Sequence, residues 1–359
     1  MRVKVGDLTI IKTGKLDANA SSENGNYPFF TCSNEPLRID SYSYDCECVL
    51  IAGNGDLNVK YYKGKFDAYQ RTYIIQSKSD GKIFMPYLYL YFQKYIEELR
   101  RLSIGGVIKY IKLANLTDAI IDLPSIAEQK RIVNLFKNLQ DALNNIALQK
   151  TMLDDLVKSR FVEMFGDPKS NPYGWKVKKF EDISILITDG EHSTPKRTHK
   201  GIYLLSARNV LNHRIQLDDV DYIDEDEYER IAKRLIPTVG DVLISCSGSI
   251  GRCCVVPKNF RFQMVRSTAL IRFKNEIRPL FAEWLITSDE LQRQIMQSAT
   301  QSSQANLFQG KIKKLYGYVP PLDLQDRFIE FAREADKSKF NHLYMCKKHL
   351  VFKKTIKII

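Results

Sequence analysis

Three stretches of this 359-residue sequence carry side chains whose types and spacing could support covalent chemistry. Asn171-Pro172-Tyr173-Gly174 approaches the Asn-Pro-Pro-aromatic pattern that grips a flipped adenine. The second proline is missing, the stretch falls in a turn after a helix, and no glycine-rich loop for S-adenosylmethionine accompanies it. Glu128-Gln129-Lys130 imitates the Glu-x-Lys of a common nuclease core, yet it falls in the first turn of an amphipathic helix, where capping accounts for it. His192 and His199 stand seven apart with no acidic or cysteine cluster nearby, and Cys46-x-Cys48 and Cys253-Cys254 lack the paired spacing of a zinc site. No metal is expected, and the seven cysteines read as reduced thiols. No G-x-x-x-x-G-K-[ST] phosphate loop is present. The chain is therefore expected to have no catalytic residue. A stand-alone DNA methyltransferase or nuclease is the rival class, and a coiled-coil protein-interaction adaptor is a third.

The remaining chemistry is non-covalent. Lys+Arg 54 against Asp+Glu 42 gives a net charge of +12, so double-stranded DNA is the first partner to consider. Lys196 and Arg197, within Lys196-Arg197-Thr198-His199-Lys200, could pair with phosphates. Ser206-Ala207-Arg208-Asn209 holds the two side chains best suited to base edges, Arg208 for guanine and Asn209 for adenine, with Ser206 beside them. Ser247, Gly248, Ser249 and Arg252 combine close backbone approach, hydroxyls and a cation; a tight β-turn is the plain alternative. Ser303, Gln304 and Asn306 precede the last strand before a helix, as do Gly105, Gly106 and Lys109 in the first half. The first half adds Lys12 and Lys15, Ser33 and Asn34, Asn54 and Gly55, and Gln70 and Arg71. Tyr87, Leu88, Tyr91, Phe92 and Tyr95 follow helical spacing and read as core rather than as base-stacking rings.

The elements that must position these residues are duplicated. Val5-Gly6-Asp7-Leu8 is echoed by Phe180-Glu181-Asp182-Ile183, Val49-Leu50-Ile51 by Val242-Leu243-Ile244, Gln70-Arg71-Thr72 by Arg266-Ser267-Thr268, and Leu123-Pro124 by Val319-Pro320. The offset grows from 175 to 193 to 196, which places an insertion in the second copy near Asp218 to Glu229. Short apolar runs bounded by Gly, Asn, Asp and Ser read as strands. After each β-rich stretch comes a helix. Ser125-x-x-Glu128 is a capping-box pattern, and Ile132, Leu135, Leu139, Ala142, Ile146, Leu153 and Leu156 follow at coiled-coil spacing. Residues 125 to 164 would make a rod of roughly 60 Å, ended by Gly166-Asp167-Pro168. The same seam shifted by 196 falls on Phe328, Phe331 and Ala335. The expected class is α+β, with β-rich domains over 1–122 and 180–318. A central helix and linker over 123–179 and a C-terminal helix over 319–359 are expected to pair antiparallel as a coiled coil, giving a pseudo-twofold repeat; folding back of each helix onto its own sheet is the plain alternative. Nothing approaches a membrane-spanning run of roughly 18 apolar residues, and residues 1–7 lack a signal-peptide core, so a cytoplasmic location with no membrane partner is expected.

The chain resembles the specificity subunits of type I restriction-modification systems. Leu-Pro-Ser-Ile-Ala-Glu-Gln-Lys-Arg-Ile (123–132), Val-Pro-Pro-Leu-Asp-Leu-Gln-Asp-Arg-Phe (319–328) and Ser-Arg-Phe-Val-Glu-Met-Phe-Gly-Asp-Pro (159–168) carry the resemblance. Thr188-Asp189-Gly190-Glu191-His192-Ser193-Thr194-Pro195, residues 240–245 and residues 247–251 add to it, and they bring Gly190, His192 and Thr194 among the DNA-facing candidates. The first half has no counterpart of the Asp-Gly-x-His-x-Thr-Pro stretch. The resemblance implies two target-recognition domains, each reading one half of a split DNA site, and paired helices that set the unread spacer. It also implies two methylase subunits gripping the helices and restriction/translocase subunits joining them. S-adenosylmethionine, ATP and magnesium would belong to those partners, and this chain would bind no cofactor.

Overall fold

The computed structural model describes residues 1–78, 81–299 and 306–355, with side chains as far as Ser338. Its internal contacts divide it into two units, residues 1–147 with 345–359, and residues 148–344. Among the described residues no helix is long and apolar enough to cross a membrane.

The first unit is built on a six-stranded sheet in the order Thr9–Thr13, Thr72–Ser77, Tyr44–Ala52, Val59–Ala68, Tyr27–Phe30, Leu37–Ile39. All neighbours are antiparallel except Tyr27–Phe30, which runs parallel to the end of Val59–Ala68. Side chains alternate between the two faces of a strand. Val49 and Ile51 therefore enter one core with Ile75, Leu88 and Phe92, while Cys48 and Leu50 enter another with Phe30 and Phe66. The helix Met85–Leu102 lies on the first face and buries Tyr87, Leu88, Tyr91 and Phe92, as its spacing predicts.

In the second unit, Ser184–Asp189, Thr268–Phe273, Val242–Ser245 and Cys253–Val255 repeat the first four positions of that order. Ile202–Leu205 and Phe262–Met264 supply the parallel pair. The single long strand Val59–Ala68 is here split into Cys253–Val255 and Phe262–Met264. The extra residues form a hairpin, Val210–Leu211 with Arg214–Ile215, and a helix, Glu225–Ala232, capped by Asp224 accepting from the Glu227 amide. A bulge between Ser184 and Leu186 adds one more residue ahead of the site. Asp241, in the Gly240-Asp241-Val242 stretch, is 1% exposed and accepts from the Thr238 amide at 2.7 Å, so that motif is structural.

Both units hand their chain to a long helix through the same device. Gln129 is fully buried; its Oε1 accepts from the Phe84 amide at 2.8 Å and its Nε2 donates to the carbonyls of Lys82 and Pro124 at 2.9 and 3.0 Å. Gln325 does the same with the Arg278 amide and the Glu276 and Pro320 carbonyls. A buried amide with every partner in place fixes the first turn of each helix to the loop that leads from the sheet into an earlier helix. Glu128-Gln129-Lys130 is thus more than a cap, although Ser125 Oγ does accept from the Glu128 amide at 3.3 Å.

The two helices span Ile126–Phe165 and Leu322–Thr355. The boundary between the units falls inside each of them. On the first, Ile132 is buried and Leu139, Ile146 and Leu153 are half-buried, as expected, but Leu135, Ala142 and Leu156 are exposed. Phe136, Leu143 and Val157 take their places. A 3.6-residue turn leaves i+3 and i+4 almost equally placed. The choice is made at the ends, where Phe136 packs on the first core and Val157, Phe161 and Phe165 sink into the second. There Phe161 meets Phe328, with ring centroids 5.3 Å apart, and Ala335 is buried while Phe331 is partly so. Ile329 and Ala332 widen that stripe. Gly166, at φ +78, ends the first helix.

Candidate nucleic-acid interface

Loops between strands carry binding residues when a rigid sheet aims them. In the first unit four separated loops are laced into one end of the sheet by backbone hydrogen bonds, and a fifth is tied to them through side chains. The Gly14 amide donates to Thr72 O at 3.1 Å, Gln70 to Leu16 O at 2.9 Å, Gly53 to Arg71 O at 2.8 Å, Gly55 to Lys109 O at 2.9 Å and Ile111 to Gly53 O at 2.9 Å. The Cys32 thiol donates to Asn54 Oδ1 at 2.8 Å and draws in the loop of Ser33 and Asn34. Gly14 is required by this lacing, since a Cβ there would stand 2.1 Å from Ala68 O. Lys12, Lys15, Ser33, Asn34, Gly55, Gln70, Arg71, Gly105, Gly106 and Lys109 are exposed, and Asn54 is half-buried. The sequence-predicted residues of the first half are thus brought together.

The second unit repeats the lacing. The Gly190 amide donates to Thr268 O at 3.0 Å, Cys246 to Ser267 O at 2.8 Å and Leu307 to Cys246 O at 2.9 Å. These match Gly14 with Thr72, Gly53 with Arg71 and Ile111 with Gly53. The loops enclose a cleft of about 500 Å³ whose lining includes His192, Ser247, Arg266, Asn306 and Phe308. Burial pushes the Cys246 thiol up to about 12, so it is a neutral wall rather than a nucleophile. His192 Nε2 lies 3.2 Å from Asp189 Oδ2. Hydrogen bonds from Ser193, with Arg230 nearby, hold the Glu191 carboxyl below its usual range and fix the turn that carries His192 and Thr194.

Other candidates stand apart from the cleft. Arg197 and Arg208 share the carboxylate of Asp221 at 2.9 and 3.1 Å. Such half-exposed pairs are worth under about 1 kcal/mol, so a phosphate can compete for both guanidinium groups. Lys196 anchors its own backbone on Glu227 Oε1 at 3.2 Å and leaves its ammonium stem exposed. Gly248, at φ +67, and the exposed Ser249 form the tight turn between two strands, and Ser245 Oγ accepts from the amide of the half-buried Arg252 at 3.0 Å. Asn209 does not suit the base-reading role expected of it. It is 1% exposed; its Oδ1 accepts from the Ser206 amide at 2.9 Å and its Nδ2 donates to Gln216 O and Asp219 O at 3.0 and 2.9 Å. With the Ser206 hydroxyl also bonded to Asn209 Oδ1, this pair is a cap. Ser303 and Gln304 lie outside the described residues.

Sequence reasoning left out Arg266, although its alignment with Gln70 in the repeat was the signal that could have found it. The Asn171 amide is engaged twice by Trp175, donating to its carbonyl at 2.8 Å and accepting from its amide at 2.9 Å, which makes that stretch a locked turn. Among the described residues no group of three His, Cys, Asp or Glu is placed to hold a metal ion.

Comparison with known proteins bears on this arrangement. Residues 1–152 match the family described as type I restriction modification DNA specificity domain. Over 154 residues, 43% of this chain, the sequence is 38% identical to the specificity subunit of the type I restriction enzyme EcoDI of Escherichia coli, a match spanning 33% of that protein. A Haemophilus influenzae protein described as a type I restriction enzyme specificity subunit is 24% identical over 319 residues, 85% of this chain and 79% of its own. The crystal structure of the S subunit of a type I restriction-modification system from M. genitalium superposes with a TM-score of 0.62 at 14% identity, covering 99% of this chain and 94% of that one. A chain from a study of complex assembly and conformational transition in the type I system gives 0.60 at 15% identity, covering 99% and 96%. At such identities these two likenesses speak for the fold.

Proposed function

We propose that this chain, which is similar to the type I restriction-modification specificity subunits, is the DNA-reading, non-catalytic subunit of such a complex, acting in the cytoplasm. Residues 1–122 and 180–318 each read one half of a split site. The helical segments 123–179 and 319–359 pair antiparallel, set the unread spacer and dock two methylase subunits, with restriction/translocase subunits joining that core. The observation that carries this reading is the lacing repeated in both units, which presents polar and cationic loops twice from one chain. Two copies of one frame with unlike loops suit two unlike half-sites. An adenine amine inside a duplex is reachable only by flipping the base, and the flipped-base pocket, S-adenosylmethionine, ATP and magnesium belong to the partners.

The test is methylome sequencing of cells that co-express this chain with a type I methylase. Replacing residues 180–318 with the matching segment of a relative should change one half of the methylated motif and leave the other intact. Loss of both halves would show that the modules do not read independently. Methylation or cleavage by the purified chain alone, supplied with S-adenosylmethionine, ATP and magnesium, would overturn the non-catalytic reading in favour of an enzyme. Binding to random duplex DNA that ignores salt would favour an adaptor.

A further inference from the structure

The loop from Ile104 to Tyr110 has an unusual composition for its place. Around it the interface is polar and cationic, with Asn54, Arg71 and Lys109, yet its tip is Gly105-Gly106-Val107-Ile108. Val107 is 103% exposed and Ile108 61%, and Val107 is the most exposed large apolar side chain among the described residues. The stem is held firmly. Ile104 and Tyr110 exchange two backbone hydrogen bonds of 3.0 and 2.9 Å, Lys109 O accepts from Gly55, Tyr73 OH donates to Ile111 O at 3.2 Å, and Gly105 at φ +116 has room for no Cβ, which would meet Ile108 O at 2.6 Å. Two branched side chains on a braced stem make a narrow, aimed projection. A protein-docking face is broader, commonly hundreds of Å² of apolar surface. A narrow apolar point flanked by cations is the shape that enters a base step from the groove, partly unstacking it while the cations hold the neighbouring phosphates.

We propose that Val107 and Ile108 form a wedge inserted at one base step of the half-site read by the first unit, so that this half-site is chosen partly by how easily that step deforms. The inference rests on the DNA-reading function proposed above. The second half carries Gln301-Ser302-Ser303-Gln304-Ala305-Asn306 at the corresponding place, a sequence with no branched apolar residue, so Val107 and Ile108 have no counterpart of their own kind there. Pyrimidine–purine steps are the cheapest to kink and are the expected preference.

The experiment selects binding sequences from a pool of random 40-base-pair duplexes with the full chain. It compares the unchanged protein, Val107→Ser/Ile108→Ser and the apolar control Val107→Ile/Ile108→Val. The serine variant should keep one half-motif and lose about tenfold in preference at a single step of the other, while the control keeps both. A 2-aminopurine placed at that step should brighten with the unchanged protein and the control, and stay dim with the serine variant. Identical motifs and identical brightening for all three would overturn the wedge. An unaltered motif with weakened capture of a co-expressed methylase would overturn it in favour of a protein contact. If the unchanged chain enriches nothing and its DNA binding ignores salt, the DNA-reading function itself fails, and that outcome differs from every other.

Discussion

Arg272 grips the buried carboxylate of Asp241 with two arms, Nε to Oδ1 at 2.7 Å and Nη2 to Oδ2 at 2.8 Å. Asp241 is 1% exposed, so the pair is worth more through what its loss would leave behind than through its own attraction. Arg272→Ala strands a buried charge and should cost about 3 kcal/mol. Because both tryptophans, Trp175 and Trp284, belong to the second unit, urea unfolding followed by tryptophan fluorescence reads that unit alone. A change below about 0.5 kcal/mol, the range of an ordinary surface substitution, would contradict the buried-pair account.

Asn209 and Arg266 should part company under mutation. Asn209→Ala removes the acceptor of the Ser206 amide and the donor to two carbonyls, and should cost about 2 kcal/mol of stability. The exposed Arg266→Ala should leave stability within about 0.5 kcal/mol and reduce the salt slope of DNA binding by roughly one. Tryptophan-monitored unfolding and a DNA titration over a salt series separate the two. The reverse assignment would place Asn209 on the DNA and Arg266 in the fold.

Acid should weaken the second unit. Hydrogen bonds from Ser193 hold Glu191 below its usual range, and those from Arg261, Arg230, Arg293 and Arg278 do the same for Glu225, Glu227, Glu290 and Asp326. In the first unit Arg101 does this for Glu98. Each folded value lies below its unfolded one, so the stability is fully present above the unfolded value, about 4.3 for Glu, and is lost as pH falls through the folded value. The urea midpoint from tryptophan fluorescence should fall on acidification below about pH 4.5, and a midpoint flat to pH 3 would contradict it.

The proposed role of the first helix as a ruler makes its own prediction. One heptad inserted after Leu153 preserves the stripe in either register and lengthens the helix by about 10 Å, or roughly three base pairs. The methylated motif should keep both half-sequences and gain a longer spacer. An active insertion variant with an unchanged spacer would mean that the separation is set elsewhere, for example by the methylase subunits.

The repeat was legible because each offset was constant between insertions, and the structure explains where it changes: the bulge after Ser184, the Val210–Ile215 hairpin and the Glu225–Ala232 helix, then the break between Cys253–Val255 and Phe262–Met264. The ring-rich stretch from Tyr87 was legible because spacing alone separates core from surface on a helix. Three of the seven stripe residues on the first helix were not, because Leu135 and Phe136 differ by only 100° around the axis and the choice between them is made by distant packing on the first core. Asn209 misled for a related reason. An amide suited to an adenine edge is equally suited to three backbone groups, and only the hairpin beyond it shows which it meets.

Gln129 and Gln325 hydrogen-bond through their side-chain amides only to main-chain atoms, all of them in the loops that lead into helices. Peptide groups are the same whatever side chains they carry, so these six hydrogen bonds make no demand on side-chain identity, and at the second joint the Arg278–Asp326 pair adds one. A gene crossover placed ahead of either glutamine could install a foreign reading unit whose chain follows the same path, and the joint would close on it as before. On the DNA-reading function proposed above, new specificities could then be drawn from old parts, with the length of the helix carried over unaltered.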